Sequence, residues 1–117
     1  NAKKFKGVIC PVLDASKNKV YTCLYKSDGK NIKRISKYLL TTVQELTDML
    51  DGYDDVLMLG DGMKFFPGKR EAVAKWQPRA DVAARAGIEL FGRKKFVSAD
   101  KLEPMYLYSK ECDITGR

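Results

Sequence analysis

The chain has 117 residues, 44% of them hydrophobic and 32% charged, which is the composition of one ordinary globular domain around a single core. A formal net charge of +7 favours a polyanion or an acidic partner through steering and says nothing about the fold. The chain has no histidine, which excludes Ser-His-Asp and Cys-His nucleophilic systems and leaves carboxylates, lysine, tyrosine and backbone amides for any chemistry.

Cys10, Cys23 and Cys112 are odd in number and form no CxxC pair, so buried reduced thiols are expected and neither a disulfide framework nor a zinc site. No apolar run approaches the roughly 20 residues that span a bilayer, and no signal peptide precedes Val8. The expectation is a cytoplasmic protein with no membrane contact, no metal and no cofactor.

In chain order, residues 1–6 carry Lys3, Lys4 and Lys6 around Phe5 and read as a linker remnant. Residues 8–14 are an apolar strand interrupted by Pro11, which cannot donate to a ladder and predicts a bulge or an exposed edge there. Residues 15–18 turn the chain into KVYTCLYK, a β-branched and aromatic strand over 19–26. Ser27-Asp28-Gly29-Lys30 is a turn signal, and residues 31–40 follow as the third strand of an antiparallel meander.

Thr42-Val43-Gln44-Glu45 is a capping box. Val43, Leu46, Met49 and Leu50 then fall on one helical face, with Gly52 where a left-handed C-cap belongs. The apolar run Val56-Leu57-Met58-Leu59 reads as a strand covered on both faces and central in its sheet. It ends in Gly60-Asp61-Gly62, a turn that permits positive φ and close backbone approach. Residues 69–77 fit either a helix lined by Val73 and Trp76 or a loop. Residues 78–91 read as a helix with Ala80, Ala83, Ala84, Gly87, Ile88 and Phe91 on one side and Gly92 just past its end, and residues 105–108 as a late extended segment.

Three meandering strands, a crossover helix and a further strand give an α/β fold: a mixed sheet with packed helices in the ribonuclease H-like order of an actin-like (ASKHA) lobe. The same pattern also permits a generic α+β sandwich.

The stretch Val12-Leu13-Asp14-Ala15-Ser16-Lys17-Asn18-Lys19-Val20-Tyr21, the turn Leu59-Gly60-Asp61-Gly62, the helix containing Pro78-Arg79-Ala80-Asp81-Val82-Ala83, and Leu102-Glu103-Pro104-Met105-Tyr106-Leu107 come in one order and spacing. That order resembles the TsaB (YeaZ) family of tRNA threonylcarbamoyladenosine biosynthesis proteins, over nearly the whole chain. The resemblance implies two actin-like lobes, of which residues 1–117 are the C-terminal one as a single domain. It further implies a non-catalytic scaffold subunit that supports TsaD, works with TsaE homologues and meets tRNA through their complex. In the family the TsaD contact is made mainly by the first lobe. Apolar residues turned toward that lobe would also favour a homo-oligomer in its absence. The chain departs from the family's Asp-Ala-Arg-x-Gly-Glu-Val-Tyr turn at Ser16, Asn18 and Lys19, so roles carried by the arginine and glutamate do not transfer. Asn18 can still take a left-handed turn conformation.

Candidate sites follow from both readings. The resemblance makes Gly60, Asp61 and Gly62 a remnant nucleotide-side turn, whereas their residue types alone make a turn capped by an aspartate. Lys69 and Arg70, with Lys64, Lys75 and Arg79 nearby, and Arg93-Lys94-Lys95 could meet tRNA phosphates, although cations at a helix C-terminus are also ordinary dipole complements. Asp14, Asp61 and Asp81 are the carboxylates to consider; Asp14 ends a strand, where a ribonuclease H-like fold can hold a metal, but no second carboxylate sits at a spacing that shares its face, and no catalytic residue is assigned. Two other functions compete with the scaffold: an actin-like nucleotide-binding or glycoprotease-like enzyme lobe, and a basic RNA-binding module.

Overall fold

A computed structural model describes residues 4–68 and 77–108. The chain divides into two compact units, Asn1–Trp76 and Gln77–Arg117, each described by itself. Val73, Trp76 and Cys112 lie outside the described residues.

The first unit is a mixed sheet organised on β1 (Lys6–Asp14). β2 (Lys19–Thr22) and β3 (Tyr25–Asp28) both run antiparallel to β1. They hold one register, since Ile9 pairs with Tyr25 and Val12 with Thr22. The second strand of the meander is therefore present but cut in two, and the cut lies opposite Pro11. Val8 donates its N–H to the Asp55 carbonyl at 2.8 Å, toward the β6 side. Alternation along the strand turns the Pro11 nitrogen the other way, where a ladder donor is needed and proline has none. Leu24 makes its backbone bonds elsewhere: its N–H donates to Ser36 Oγ at 2.8 Å and its carbonyl accepts from Ile35 at 2.9 Å. Pro11 thus sits in the most paired strand of the sheet, and the expectation of a bulge or an exposed edge is corrected to a gap in one ladder.

The third strand is also divided, into β4 (Ile32–Arg34) and β5 (Leu39–Thr42). Arg34 pairs with Tyr25 and Leu39 with Thr22, so residues 35–38 face only Cys23 and Leu24. The chain bows out there because Ile35 and Ser36 are bonding the Leu24 backbone.

β6 (Val56–Leu59) lies parallel to β1, with Val8 opposite Val56 and Pro11 opposite Leu59. Among the described residues it pairs with no other strand, so β1 is central and β6 is not. An apolar run reports covered faces, not paired edges. Met58 is buried in the core while one edge of β6 has no described partner.

Between them runs α1 (Val43–Leu50), started by the expected capping box. Thr42 Oγ1 accepts from the Glu45 N–H at 3.2 Å, and the Glu45 carboxylate accepts from the Thr42 N–H at 2.9 Å. The Thr42 N–H, with the Thr41 and Thr42 hydroxyls, holds the Glu45 carboxyl below its ordinary range. Replacing Thr42 by Ala is expected to lower stability by about 1 kcal/mol in urea unfolding. Leu46 and Leu50 are buried and Val43 packs beside them, but Met49 faces out. Asp51 closes the helix in a right-handed conformation, so Gly52 is not the left-handed C-cap that its position suggests.

Period-two alternation puts Val8, Cys10 and Val12 on one face of β1, where they meet Val20, Leu24, Leu46, Leu50, Met58 and Phe66 in one core. Thr22 is buried there and fully bonded, donating to the Pro11 carbonyl at 2.8 Å and lying 3.3 Å from Cys10 Sγ. Cys10 and Cys23 are buried free thiols, as expected, and burial pushes the Cys10 thiol up to about 11.

The second unit contains α2 (Ala80–Gly92), with Arg79 bound to Asp81 through two hydrogen bonds at its start. It ends in a Schellman arrangement: Lys95 donates to the Leu90 carbonyl at 2.8 Å and Lys94 to Phe91 at 2.9 Å. The left-handed position of that cap is Lys94, with φ of 57°, so Gly92 closes the helix from within and is not the residue past its end. Phe91 and Phe96 stack at 5.2 Å beside the cap. Residues 102–107 form no regular strand. Among the described residues no helix is long and apolar enough to cross a membrane.

Candidate functional site at the carboxyl ends of the parallel strands

In sheets with parallel strands, ligand sites lie beyond the strands' carboxyl ends. In the first unit that place is formed by the ends of β1 and β6, with the loop 15–18 after one and the 3-10 turn Asp61–Phe65 after the other.

The loop after β1 is unusual. Ser16, Lys17 and Asn18 all have left-handed φ, at 64°, 51° and 58°, in succession and without a glycine. Each such residue costs of order 1 kcal/mol, so the surroundings must hold the loop. Asp14 Oδ1 accepts from the Ser16 N–H at 2.8 Å. Ala15 donates to the Lys19 carbonyl at 3.0 Å, and Lys19 donates back to Ser16 at 3.0 Å. Val43, at the start of α1, donates to the Asn18 carbonyl at 3.4 Å. Asn18 takes the conformation read for it, and Ser16 and Lys17 share it.

The turn after β6 is built against Val12. Gly60 has φ of 119° and ψ of 172°, a conformation restricted to glycine, and any Cβ there would drive into the Val12 carbonyl. A Cβ on Gly62 would lie 2.5 Å from Val12 Cγ1. Both glycines are buried, and the space that a ligand would need beside their Cα atoms is filled by β1.

Asp61, between them, does not cap its own turn. Its Oδ1 accepts from the Asp14 N–H at 2.9 Å, which ties the end of β1 to the turn after β6. Asp14 in turn pairs through Oδ2 with Lys64 Nζ at 2.5 Å. The Lys64 ammonium also lies over the Phe65 ring, 5.0 Å from its centroid. The Lys64 hydrogen bond, aided by the Ser16 N–H, holds the Asp14 carboxyl below its usual range, and the same pairing raises Lys64. A depressed carboxylate contributes stability above its unfolded pKa and loses it as pH falls through its folded pKa. The Lys64→Gln variant should therefore move the Asp14 titration, followed by carboxyl NMR, up toward the ordinary range and narrow the acid limb of the stability profile.

The structure thus brings Gly60, Asp61 and Gly62 together with Asp14 and Lys64, a link that sequence spacing did not show. Lys69, Arg70 and Lys75 lie outside the described residues. Arg93, Lys94 and Lys95 are exposed at the cap of α2, where they complement its carboxyl end. Among the described residues no group of three or more Cys, Asp or Glu could hold a metal ion. A cavity of about 310 Å³ opens at the other end of β6, lined by Leu50, Tyr53, Val56 and Met58.

No protein-family model and no curated protein matches the chain. Solved structures do. One is described as YeaZ from Pseudomonas aeruginosa and superposes with a TM-score of 0.65 at 17% identity, over 85% of this chain and 49% of its own. The fold is that of YeaZ. A second, described as an uncharacterized protein with similarity to peptidase YeaZ from Pseudomonas aeruginosa, matches with a TM-score of 0.65 at 18% identity over 86% of this chain and 49% of its own. The chain therefore spans about half the length of the YeaZ structures it matches, and the likeness inferred from its motifs holds at the level of the fold.

Proposed function

We propose that this chain is the C-terminal, ribonuclease H-like lobe of a TsaB-type protein and serves as a non-catalytic scaffold in the complex that makes threonylcarbamoyladenosine beside the anticodon of tRNA. TsaD and TsaE homologues are its partners in this reading, and tRNA is met through the complex. The observation that carries it is the closed state of the strand-end turn. Gly60 and Gly62 pack on Val12, Asp61 is bound to the Asp14 backbone, and Asp14 is bound to Lys64. A turn whose backbone approach and carboxylate are both occupied by its own sheet suits a framework better than a nucleotide grip. The YeaZ fold supplies the family context.

The test is a chimera in which this chain replaces the matching half of Pseudomonas aeruginosa YeaZ, assayed for transfer to tRNA with TsaD and TsaE homologues, ATP and an activated threonylcarbamoyl donor supplied to the reaction. The reading expects modified tRNA from the chimera and none from this chain alone. It fails if the isolated chain carries out the transfer, or if a chimera that folds and binds the TsaD homologue yields no modified tRNA.

A further inference from the structure

The opposite edge of the first unit carries a feature unrelated to the strand-end turn. The β3–β4 hairpin ends the sheet, and every residue of β4 is exposed. Its register sets Lys26 directly across from Lys33, so two lysines stand opposite each other on one face. Like charges directly opposed on a sheet are destabilising. Lys30 is exposed at the hairpin tip, Lys37 beyond β4, and Lys4 and Lys6 along the start of β1, with the Lys6 side chain beside Gly29. On the other face, Arg34 lies over the Tyr38 ring at 4.7 Å, and both are exposed.

The hairpin itself offers little acidic compensation, and Asp55 packs beside Gly7 at the start of β1. The only acidic residue of the hairpin, Asp28, has its carboxylate occupied by the turn: Oδ1 accepts from the Lys30 and Asn31 N–H groups at 2.8 and 2.7 Å, and Oδ2 faces Asn31 Nδ2. None of these six lysines forms an ion pair with a described residue, whereas Lys64, Arg79 and Arg85 elsewhere do.

We propose that this β3–β4 edge binds the phosphate backbone of single-stranded RNA, with Lys26, Lys30 and Lys33 on the phosphates and the Arg34–Tyr38 pair as a stacking surface for a base. Uncompensated point charges along an edge fit a regular polyanion. The exposed guanidinium-on-ring pair adds a flat face that nucleobases use and carboxylate side chains do not. Charged edges also discourage strand-to-strand aggregation, but that role requires neither opposed lysines nor the stacked pair. The inference does not rest on the scaffold reading, which concerns partners of the whole protein and is tested by transfer.

The experiment is fluorescence anisotropy of the full chain with a labelled mixed-sequence single-stranded RNA across a salt series. Wild type should bind with a linear log–log salt dependence. Replacing both Lys26 and Lys33 by Gln should weaken binding about tenfold at low salt and reduce the slope by about 1.4. Lys33→Glu should weaken binding more than Lys101→Glu, which makes the same change in net charge on the second unit. Folding is protected in this design, because Lys33→Glu places opposite charges across the ladder from each other and should hold or raise the melting temperature. Tyr38→Ala should weaken binding without changing the salt slope. The proposal is overturned if wild type does not bind, if Lys33→Glu and Lys101→Glu weaken binding equally, or if polyglutamate competes as well as unlabelled RNA at equal charge.

Discussion

Gly60→Ala is expected to be the most damaging small substitution in the first unit, lowering stability by about 4 kcal/mol. Two costs add. An alanine at φ 119° and ψ 172° sits in a backbone region that side chains avoid, worth about 1–3 kcal/mol. Its Cβ also has no room against the Val12 carbonyl, and overpacking of this kind costs about 1–3 kcal/mol. Because the obstacle is backbone of the central strand, the sheet cannot yield cheaply. Gly62 makes a useful contrast. It has no positive φ, so only the packing cost applies: an added Cβ would lie 2.5 Å from Val12 Cγ1 and 3.1 Å from its carbonyl, and Gly62→Ala should cost about 1–3 kcal/mol. Urea unfolding with an unchanged m-value reads both. Equal losses for the two variants, or a Gly60 loss below about 1 kcal/mol, would mean that the turn is not seated on Val12 as described.

The second large effect is at Leu46, which is fully buried and, with Leu50, seats α1 in the core. Leu46→Ala should cost about 3 kcal/mol through lost burial and the cavity left behind. Met49, one turn away on the same predicted face, is 39% exposed, and Met49→Ala should stay within about 0.5 kcal/mol. A comparable loss at Met49 would place the helix in a different rotation on the sheet.

What sequence conveyed depended on distance along the chain. The capping box needs only Thr42 and Glu45, three residues apart, and the Asp28-Gly29 turn only its own residues, so both were legible. The consequence of Pro11 lies in another strand: its missing N–H leaves the ladder empty beside Cys23, while the Leu24 N–H, which faces the third strand, bonds Ser36. The apolar run of β6 reports covered faces, whereas hydrogen-bonded edges decide which strand is central, and among the described residues β1 holds them. Gly52 and Gly92 show the limit of glycine as punctuation. One helix stops at Asp51 in a right-handed conformation, and the other places Lys94 in its left-handed cap.

The candidate site divides the same way. Gly60, Asp61 and Gly62 could be marked from residue type, but their partners could not. The Asp14 N–H that Asp61 accepts is 47 residues away, and Lys64 reaches 50 residues back to Asp14. Only the parallel pairing of β1 with β6 brings them together. The lysines of the β3–β4 edge were hidden for a related reason: Lys26 and Lys33 become opposed only when the hairpin register is fixed.

If the turn after β6 serves only the sheet, it holds no nucleotide. Amide-resolved NMR of the chain during an ATP titration decides this, since shifts at the turn are separated from any contact between the triphosphate and the lysine edge. The Gly60, Asp61 and Gly62 amides should stay in place throughout. Saturable shifts at those three amides with micromolar ATP would show instead that the turn binds nucleotide.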